Sequence, residues 1–266
     1  MTPSLRIDEI DIHIEGDGEH TIVMIHGWPD TWRVWDAQVA ALKSQYRCVR
    51  FTLPGFDIRQ PERPTSVAEM ARLFKNIVQQ VSPTQPVTLM LHDWGCLFGY
   101  EFYMQNPHLV ARIVGVDIGD SNSPQYLNAI GIGSKLAIFT YQIWLLLAWR
   151  LRSSVGNAMT RLMIKLLKAP SHPEYQSAAM NYPYDMQWSG SFGGFKALDQ
   201  FQPTCPVLFV YGTQKPFMFH SRQWLEQLAQ KPGSRVLALE TDHWLMVNQP
   251  EAFNQAVLGW LRAAEK

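Results

Sequence analysis

Asp93 stands where this sequence is best able to hold a reactive side chain. An apolar, strand-like run at residues 86–91 precedes it, and a helix-like run at residues 96–102 follows it. This order of strand, sharp turn and helix is typical of a nucleophile elbow, which holds one side chain at the tip of a strained turn above a parallel sheet. Gly95, two positions further on, allows the helix backbone to pack close behind such a turn.

A carboxylate at this position favours a different reaction from the serine that is more usual there. Serine suits acyl transfer, whereas a carboxylate suits displacement at an sp³ carbon. Asp93 can attack an epoxide or a carbon–halogen bond, and the alkyl ester so formed is then hydrolysed at its carbonyl. An aspartate close to a glycine is also common in solvated turns. The interpretation therefore depends on partners elsewhere in the chain.

Candidate oxyanion donors lie in the turn after another strand-like run, residues 21–25. The turn reads His26-Gly27-Trp28-Pro29. Such a turn contributes one backbone N–H to an oxyanion hole, and the residue after the nucleophile contributes the other. These donors would be Trp28 and Trp94, each worth about 3 kcal/mol to the anion formed when water attacks the ester. His26 and His92 are expected to line the same site.

His243 is the candidate general base. It follows the last predicted strand, residues 235–239, and precedes the last predicted helix, residues 251–264. A histidine there can reach back over the strand ends to the elbow and activate water. The alternative is an ordinary histidine in a surface loop.

Strand-like and helix-like segments alternate along most of the chain. The predicted strands are residues 7–14, 21–25, 47–52, 86–91, 111–117, 206–212 and 235–239. Helices outside the elbow are predicted at residues 33–44, 66–80, 221–230 and 251–264. Ser66 and Glu69 have the spacing of a capping box. The alternation predicts an α/β fold with a parallel sheet and helices on both faces.

The alternation stops at residues 121–197, which are apolar and helix-like. We interpret this segment as a helical cap (lid) over a core domain of residues 1–120 and 198–266. Its most apolar part, residues 136–149, lies between Lys135 and Arg150. That run is shorter than the ~20 residues that span a bilayer. It predicts a cap helix over an apolar pocket and no transmembrane segment, with an interfacial helix as the second choice.

Composition narrows the class of protein further. The chain has 266 residues, 47% of them apolar, and a formal net charge of zero. It can therefore bury a substantial core, and its overall charge does not favour a nucleic acid or an anionic membrane as partner. Its three cysteines are too few for a disulfide framework or a zinc site. The N-terminus lacks the pattern of a signal peptide, and we expect a cytoplasmic protein.

The motifs as a set resemble α/β-hydrolases of the epoxide hydrolase group, over nearly the whole chain. Residues 26–29, 92–95 and 242–244 carry the resemblance. It implies a mostly parallel eight-stranded sheet with a helical lid after the sixth strand. It also implies a small hydrophobic substrate and no metal or other cofactor. Haloalkane dehalogenases share Asp-Trp-Gly, but they commonly place asparagine after His-Gly, where this chain has Trp28.

The same resemblance implies two lid tyrosines that hydrogen-bond the epoxide oxygen. The segment at residues 139–144 points to Tyr141 as the first. Asn181-Tyr182-Pro183-Tyr184 resembles the segment of the second imperfectly, because a proline disturbs the register. Tyr182 is preferred and Tyr184 is the alternative, while packing alone would also explain aromatic residues in a lid.

The third member of the triad departs from the family pattern. The usual acid lies just after the seventh strand, where this chain reads Gly212-Thr213-Gln214-Lys215-Pro216. Some dehalogenases take the acid from the end of the sixth strand instead, and Asp117 occupies that place. We prefer Asp117 over Asp120, which belongs to the turn into the lid.

Two alternative functions stay open at this point. In a dehalogenase, the indole N–H groups of Trp28 and Trp94 would hold the halide. Lys215, in the place of the usual acid, also allows a non-catalytic ligand-binding protein on a hydrolase scaffold. The sequence leaves the substrate and the oligomeric state open.

Overall fold

The computed structural model describes residues 4–195 and 198–263, within which one sheet organises the fold. Its strands are β1 (Leu5–Ile7), β2 (Ile10–Glu15), β3 (Thr21–Ile25), β4 (Arg47–Phe51), β5 (Val87–His92), β6 (Val110–Val116), β7 (Val207–Gly212) and β8 (Arg235–Leu239). They lie in the order β1-β2-β4-β3-β5-β6-β7-β8. Strands β3 to β8 pair in parallel, and β1 and β2 are antiparallel. The predicted α/β class and mostly parallel eight-stranded sheet are confirmed.

One predicted strand is wrong in detail. Residues 7–14 form parts of two strands, because the chain turns at Asp8 and Glu9, whose φ angles are 47° and 68°. Both residues are polar and exposed, so the turn costs no buried apolar surface. Alternating apolar residues on either side of a two-residue turn read as one continuous strand, which is why the sequence concealed this hairpin.

Helices cover both faces of the sheet. They are α1 (Asp36–Leu42), α2 (Val67–Val81), α3 (Trp94–Gln105), α4 (Pro124–Ala129), α5 (Ile132–Leu151), α6 (Ser154–Leu166), α7 (Tyr182–Ser189), α8 (Arg222–Ala229), α9 (Leu245–Asn248) and α10 (Pro250–Ala263). Side chains of α2, α3 and α8 build one core, and those of α1, α9 and α10 build the other. The predicted capping box is present, since Ser66 and Glu69 each accept the other's backbone N–H at the start of α2.

The insert after β6 carries helices α4 to α7, and the described residues 121–195 contain no strand. Four predicted limits lie outside the described residues: the ends of the core domain at 1 and 266, the end of the insert at 197 and the end of the last helix at 264. The position of the insert places a helical layer over the carboxyl ends of the strands, where Asp93 follows β5.

Helix α5 is longer than the apolar run that predicted it, because it continues through Lys135 and Arg150 to twenty residues. By length and composition it could cross a membrane: an 18-residue window has a mean hydropathy of 1.3, with 22% of it buried. The length of residues 136–149 is therefore no argument against a transmembrane helix. The second half of the helix nevertheless packs into the protein, with Leu145 and Trp149 in the core.

Candidate active site

Asp93 occupies a strained turn between β5 and α3. Its φ and ψ are 53° and −124°, a region that side chains rarely adopt and that costs about 1–3 kcal/mol. Gly95 makes the turn possible, since a Cβ on it would lie 2.4 Å from the carbonyl oxygen of Ile25. The sequence-predicted elbow is therefore present, and the strain holds one carboxylate above the sheet.

Two backbone N–H groups face this carboxylate. The N–H of Trp28 donates to Asp93 Oδ1 at 2.6 Å, and the backbone of Trp94 also bonds the Asp93 carboxylate. Gly27 leaves the room for this approach, because a Cβ there would lie 2.3 Å from Asp93 Oδ1. The two predicted oxyanion donors thus meet at the Asp93 carboxylate.

His243 bridges two carboxylates. Its Nε2 lies 3.4 Å from Asp93 Oδ2, and its Nδ1 lies 2.5 Å from Asp117 Oδ2. Asp117 follows β6 directly and is completely buried. Because β5 and β6 are adjacent and parallel, their ends bring Asp93 and Asp117 to the same edge, and the loop after β8 places His243 between them.

Lys215 pairs with the other oxygen of Asp117. The Lys215 side chain is only 7% exposed, and its Nζ lies 2.5 Å from Asp117 Oδ1. The N–H of Gly212 donates to the same oxygen at 3.0 Å. These contacts leave Oδ2 facing His243. The lysine at the usual position of the acid therefore orients a carboxylate that comes from the preceding strand.

The neighbouring charges determine how His243 and Asp93 are ionised in the free protein. Burial alone would lower the pKa of His243, but hydrogen bonds and charges of Asp117 and then Asp93 raise it to about 9. Burial alone would raise the pKa of Asp93, but His243 outweighs it and lowers the pKa. The imidazolium thus contributes stability that is fully present below pH 6.5 and is lost as the pH rises through about 9.

Lys215→Met is expected to raise the pKa of His243 further above its value of about 9, because one cation near the imidazolium is lost. The free energy of unfolding should fall by about 3 kcal/mol, since a buried ion pair is broken. Titration of the imidazole NMR signals, assigned with His243→Gln, measures the pKa. Lys215→Arg keeps the charge and serves as control. An unchanged pKa in Lys215→Met would show that the lysine does not act on the imidazole.

Asp120, the alternative acid, has a different task. Its Oδ2 accepts hydrogen bonds from the hydroxyls of Ser123 and Ser221 at 2.6 and 2.7 Å, and its Oδ1 accepts the N–H of Ser221 at 2.6 Å. These serines are the N-caps of α4 and α8. Asp120 therefore ties the first cap helix to the core domain, away from the His243 imidazole.

A cavity of about 510 Å³ opens over Asp93. Three phenols line it. The Tyr126 hydroxyl donates to the carbonyl oxygen of Met218 at 2.9 Å, whereas Tyr141 and Tyr184 lie with their ring centroids 6.2 Å apart. Burial raises the pKa of both, so they are protonated donors at neutral pH. The other lining residues are mostly apolar or uncharged, which suits a small hydrophobic molecule: Trp94, Leu97, Ile118, Ser121, Asn122, Leu127, Ile130, Lys135, Ile138, Phe139, Gln142, Gln187, Trp188 and Phe219.

The preference for Tyr182 over Tyr184 is wrong. Tyr182 is absent from the cavity lining; its ring packs against Phe56 and Trp149, and within the described residues its buried hydroxyl has no hydrogen-bond partner. Both tyrosines lie in the first turn of α7, where a proline is tolerated. Residues two positions apart on a helix point to opposite sides, so only Tyr184 faces the cavity.

The side chains of His26 and Trp28 do not take the positions considered for them from the sequence. His26 does not line the cavity: its Nε2 accepts the N–H of Leu53 at 2.9 Å, and burial lowers its pKa to about 4. It is a neutral residue that fixes the oxyanion turn. The Trp28 indole N–H donates to Asn181 Oδ1 at 2.7 Å and is therefore not free to hold halide. The Trp94 indole N–H faces the Tyr184 hydroxyl, and this contact partly offsets the rise that burial causes in the pKa of that phenol.

Sequence reasoning missed Asp30. Its buried carboxylate accepts the Trp244 indole N–H at 3.0 Å, and burial, with a contribution from the charge of Asp93, raises its pKa to about 7. The only signal was its place directly after the oxyanion turn. His92, by contrast, was expected near the site, and its Nε2 lies 3.1 Å from the His243 carbonyl oxygen.

Comparison with known proteins identifies the family. The sequence profile of the alpha/beta hydrolase family matches residues 22–256. The chain belongs to the alpha/beta hydrolase family. The prediction that it is a hydrolase of this fold, similar to epoxide hydrolases, is confirmed at that level.

This alpha/beta hydrolase is similar to epoxide hydrolases in sequence and in structure. It is 21% identical to "Epoxide hydrolase 4" of Homo sapiens, over 92% of this chain and 73% of the human protein. It is 32% identical to "Probable oxidoreductase EphD" of Mycobacterium tuberculosis, over 39% of this chain but only 18% of the relative. An epoxide hydrolase from Bacillus megaterium with its diol product superposes with a TM-score of 0.70, at 18% identity over 97% of this chain and 99% of the other. That likeness concerns the fold, so the reaction has to be argued from the site.

Proposed function

We propose that this hydrolase opens epoxides of small hydrophobic molecules to vicinal diols, with Asp93 as nucleophile and no cofactor. The observation that carries the proposal is the pairing of an elbow carboxylate with two protonated phenols in one cavity. A carboxylate can displace at carbon but leaves an alkoxide, and in this proposal Tyr141 and Tyr184, which line the same cavity, protonate it. A serine hydrolase needs neither of these groups.

In the first half-reaction, Asp93 Oδ2 attacks an epoxide carbon and forms the C–O bond of an alkyl ester. The ring C–O bond breaks, and its electron pair takes a proton from a lid tyrosine. Asp93 Oδ1 becomes the ester carbonyl oxygen, which already lies against the N–H of Trp28. The protonated imidazole of His243 does not itself attack the epoxide, because both ring nitrogens carry protons and lie against the two carboxylates.

The second half-reaction depends on a change in His243. Ester formation removes the charge of Asp93, which is one cause of the high imidazole pKa in the free protein. The imidazolium then gives its proton to the tyrosinate left by the first half-reaction, and the neutral imidazole can take a proton from water. The hydroxide attacks the ester carbonyl, and the anion so formed is held by Trp28 and Trp94. The ester C–O bond then breaks, the new carboxyl group gives its proton to the leaving alkoxide, and the diol departs from an ionised Asp93. Asp117 keeps the imidazole in position throughout.

A panel of aryl and alkyl epoxides beside haloalkanes tests the proposed function. We expect diol from epoxides and no halide release, since the Trp28 indole N–H that a halide would need is bound to Asn181. Halide release from a haloalkane faster than any diol formation would favour a dehalogenase, the second candidate. Ligand binding without any turnover would favour the non-catalytic alternative, for which the pairing of Lys215 with Asp117 offers no support.

Tyr141→Phe and Tyr184→Phe are each expected to slow formation of the alkyl-enzyme by about 10²-fold, because a general acid typically contributes at least that much. Tyr182→Phe is a matched control on the same helix as Tyr184 and should leave the rate unchanged. Rapid quench with mass analysis of the protein measures alkylation directly. Slowing by Tyr182→Phe but not by Tyr184→Phe would restore the original assignment.

Asp117→Asn is expected to slow ester hydrolysis by about 10⁴-fold while alkylation stays nearly unchanged, as for loss of the orienting acid in a comparable triad. Asp120→Asn should leave both half-reactions nearly unchanged and instead lower stability by about 1 kcal/mol through weaker helix caps. Pre-steady-state measurement of the two half-reactions distinguishes the variants. A stalled ester in Asp120→Asn alone would move the assignment to Asp120.

A cytoplasmic location belongs to the same proposal. The three cysteines, Cys48, Cys96 and Cys205, are free thiols. Cys48 and Cys96 are buried, and burial raises the pKa of each to about 12, so these two are unreactive packing residues. This arrangement suits a reducing compartment.

A further inference from the structure

Exposed apolar side chains are concentrated on the cap. Among the described residues, every large hydrophobic side chain that is more than about a third exposed lies between residues 127 and 192: Leu127, Ile132, Leu136, Phe139, Leu147, Leu151, Val155, Leu162, Leu166, Leu167, Trp188 and Phe192. Ile132 is 85% exposed and Leu136 is 63% exposed. A concentration of exposed apolar side chains on one layer of a protein marks an interaction surface.

Helical spacing arranges these side chains in stripes. On α5, Ile132, Leu136 and Phe139 lie on one face, and Leu147 and Leu151 continue it. The adjoining helix α6 exposes its own stripe, Val155, Leu162 and Leu166. A two-residue connection joins the helices, and they pack along their length. We call these two stripes the cap surface.

Basic residues accompany the cap surface. Residues 121–195 contain six lysines and arginines against two acidic residues, although the whole chain has a net charge of zero. Lys135, Arg161, Lys165 and Lys168 are exposed and form no ion pair within the described residues. The local charge of the cap is therefore positive, and the balancing negative charge lies on the core domain. The zero net charge of the sequence concealed this asymmetry.

The active-site cavity opens beside the cap surface. Leu127, Phe139 and Trp188 line the cavity and are also exposed on the surface. The charged Lys135 is likewise exposed and lines the cavity. A molecule that enters over these residues passes directly from the cap surface to Asp93. An apolar face that also carries basic residues and the mouth of the cavity can bind to an apolar phase and take up molecules dissolved in it.

We propose that the cap surface docks on an anionic phospholipid bilayer and that the enzyme takes apolar epoxides dissolved in it. Apolar side chains enter the headgroup boundary, and the basic residues bind anionic lipid. A second copy of the chain is a poorer occupant, because a two-fold interface would place two basic surfaces against each other. The docking stands on the exposed surface alone, while the substrate class rests on the proposed function.

Flotation of the whole protein with vesicles tests the docking. We expect binding to phosphatidylcholine vesicles that contain phosphatidylglycerol, little binding to phosphatidylcholine alone, and release by high salt. Ile132→Gln with Leu136→Gln should weaken binding at least about tenfold. Lys165→Glu with Lys168→Glu should weaken it at least about twentyfold. All four residues are exposed and none lines the cavity, so folding and the active site are spared.

A matched control carries the same change of charge on the core domain. Arg33→Glu with Arg72→Glu replaces two exposed core-domain arginines and should bind vesicles as the unmodified protein does. An equal loss of vesicle binding in this control would mean that overall charge alone explains the effect, and it would overturn the proposal. The proposal would also be overturned if the protein did not bind vesicles but formed a stable dimer that Ile132→Gln with Leu136→Gln dissociates. Retention after an alkaline carbonate wash would instead indicate that α5 spans the membrane, and would also contradict surface docking.

Turnover separates this inference from the proposed function. The docking variants should hydrolyse a water-soluble epoxide such as glycidol normally but lose at least about tenfold in turnover of a long-chain epoxide presented in anionic vesicles. Vesicle binding without turnover of any epoxide would leave docking intact and refute the proposed function. Normal turnover of the vesicle-borne epoxide by both docking variants would refute delivery from the bilayer.

Discussion

Asp93→Ala is expected to abolish turnover, because no covalent ester can form without the carboxylate. The oxyanion donors and the phenols remain, but neither can open an epoxide at a useful rate without a nucleophile held at the carbon. Substrate binding should persist, since the cavity is lined mostly by other residues. Steady-state diol formation measures the loss, and a thermal melt confirms that the variant is folded.

The origin of the diol oxygen provides the sharper measurement for the same residue. In heavy-oxygen water, a single turnover with excess enzyme should leave the label in Asp93 and not in the diol. The new oxygen of the first diol comes from Asp93, and water replaces it in the carboxylate. Label in the diol of the first turnover would mean that water attacks the epoxide directly, and the nucleophile assignment would then fail.

His243→Gln is expected to stop the reaction at the ester. Alkylation needs the Asp93 carboxylate and the lid phenols, whereas hydrolysis needs a base for water. We expect hydrolysis to fall by about 10⁴-fold or more, the effect of losing the base of a comparable triad. Intact-mass measurement should then show the protein plus one substrate molecule.

The fold of His243→Gln needs its own check, because the imidazolium balances the buried carboxylate of Asp117 and the half-buried one of Asp93. Its free energy of unfolding relative to the unmodified protein should be most reduced below pH 6.5 and should recover as the pH rises through about 9. An unmodified mass in a folded variant that still binds substrate would assign His243 a role in alkylation or none at all.

The residues that come together in the site were predictable, because short segments of sequence specify the turns that hold them. A buried strand followed by Asp93 and Gly95 specifies an elbow, since the turn leaves no room for a side chain at Gly95. The turn at residues 26–29 and the loop of His243 follow strands, and parallel strands bring their carboxyl ends to one edge. The order of strands and helices therefore fixed the fold class and the neighbourhood of these residues.

The errors concern the direction in which side chains point. Tyr182 and Tyr184 are equivalent in sequence, but the helical rotation between them sends one into the core and the other into the cavity. His26 lies next to the site in sequence, yet its ring nitrogens are used by the backbone of Leu53 and Gly27. A motif specifies which residues come near a site and not which atoms are exposed in it.

The sequence by itself determined an α/β hydrolase with a carboxylate at the elbow, because strand periodicity and turn residues act over a few positions. Only the tertiary structure decided what Lys215 does. Read along the chain, it replaces an acid and casts doubt on catalysis. In the fold it neutralises and orients Asp117, ninety-eight residues away in sequence. Charge pairing of this kind depends on distance in space, and the packing of β6 beside β7 sets that distance.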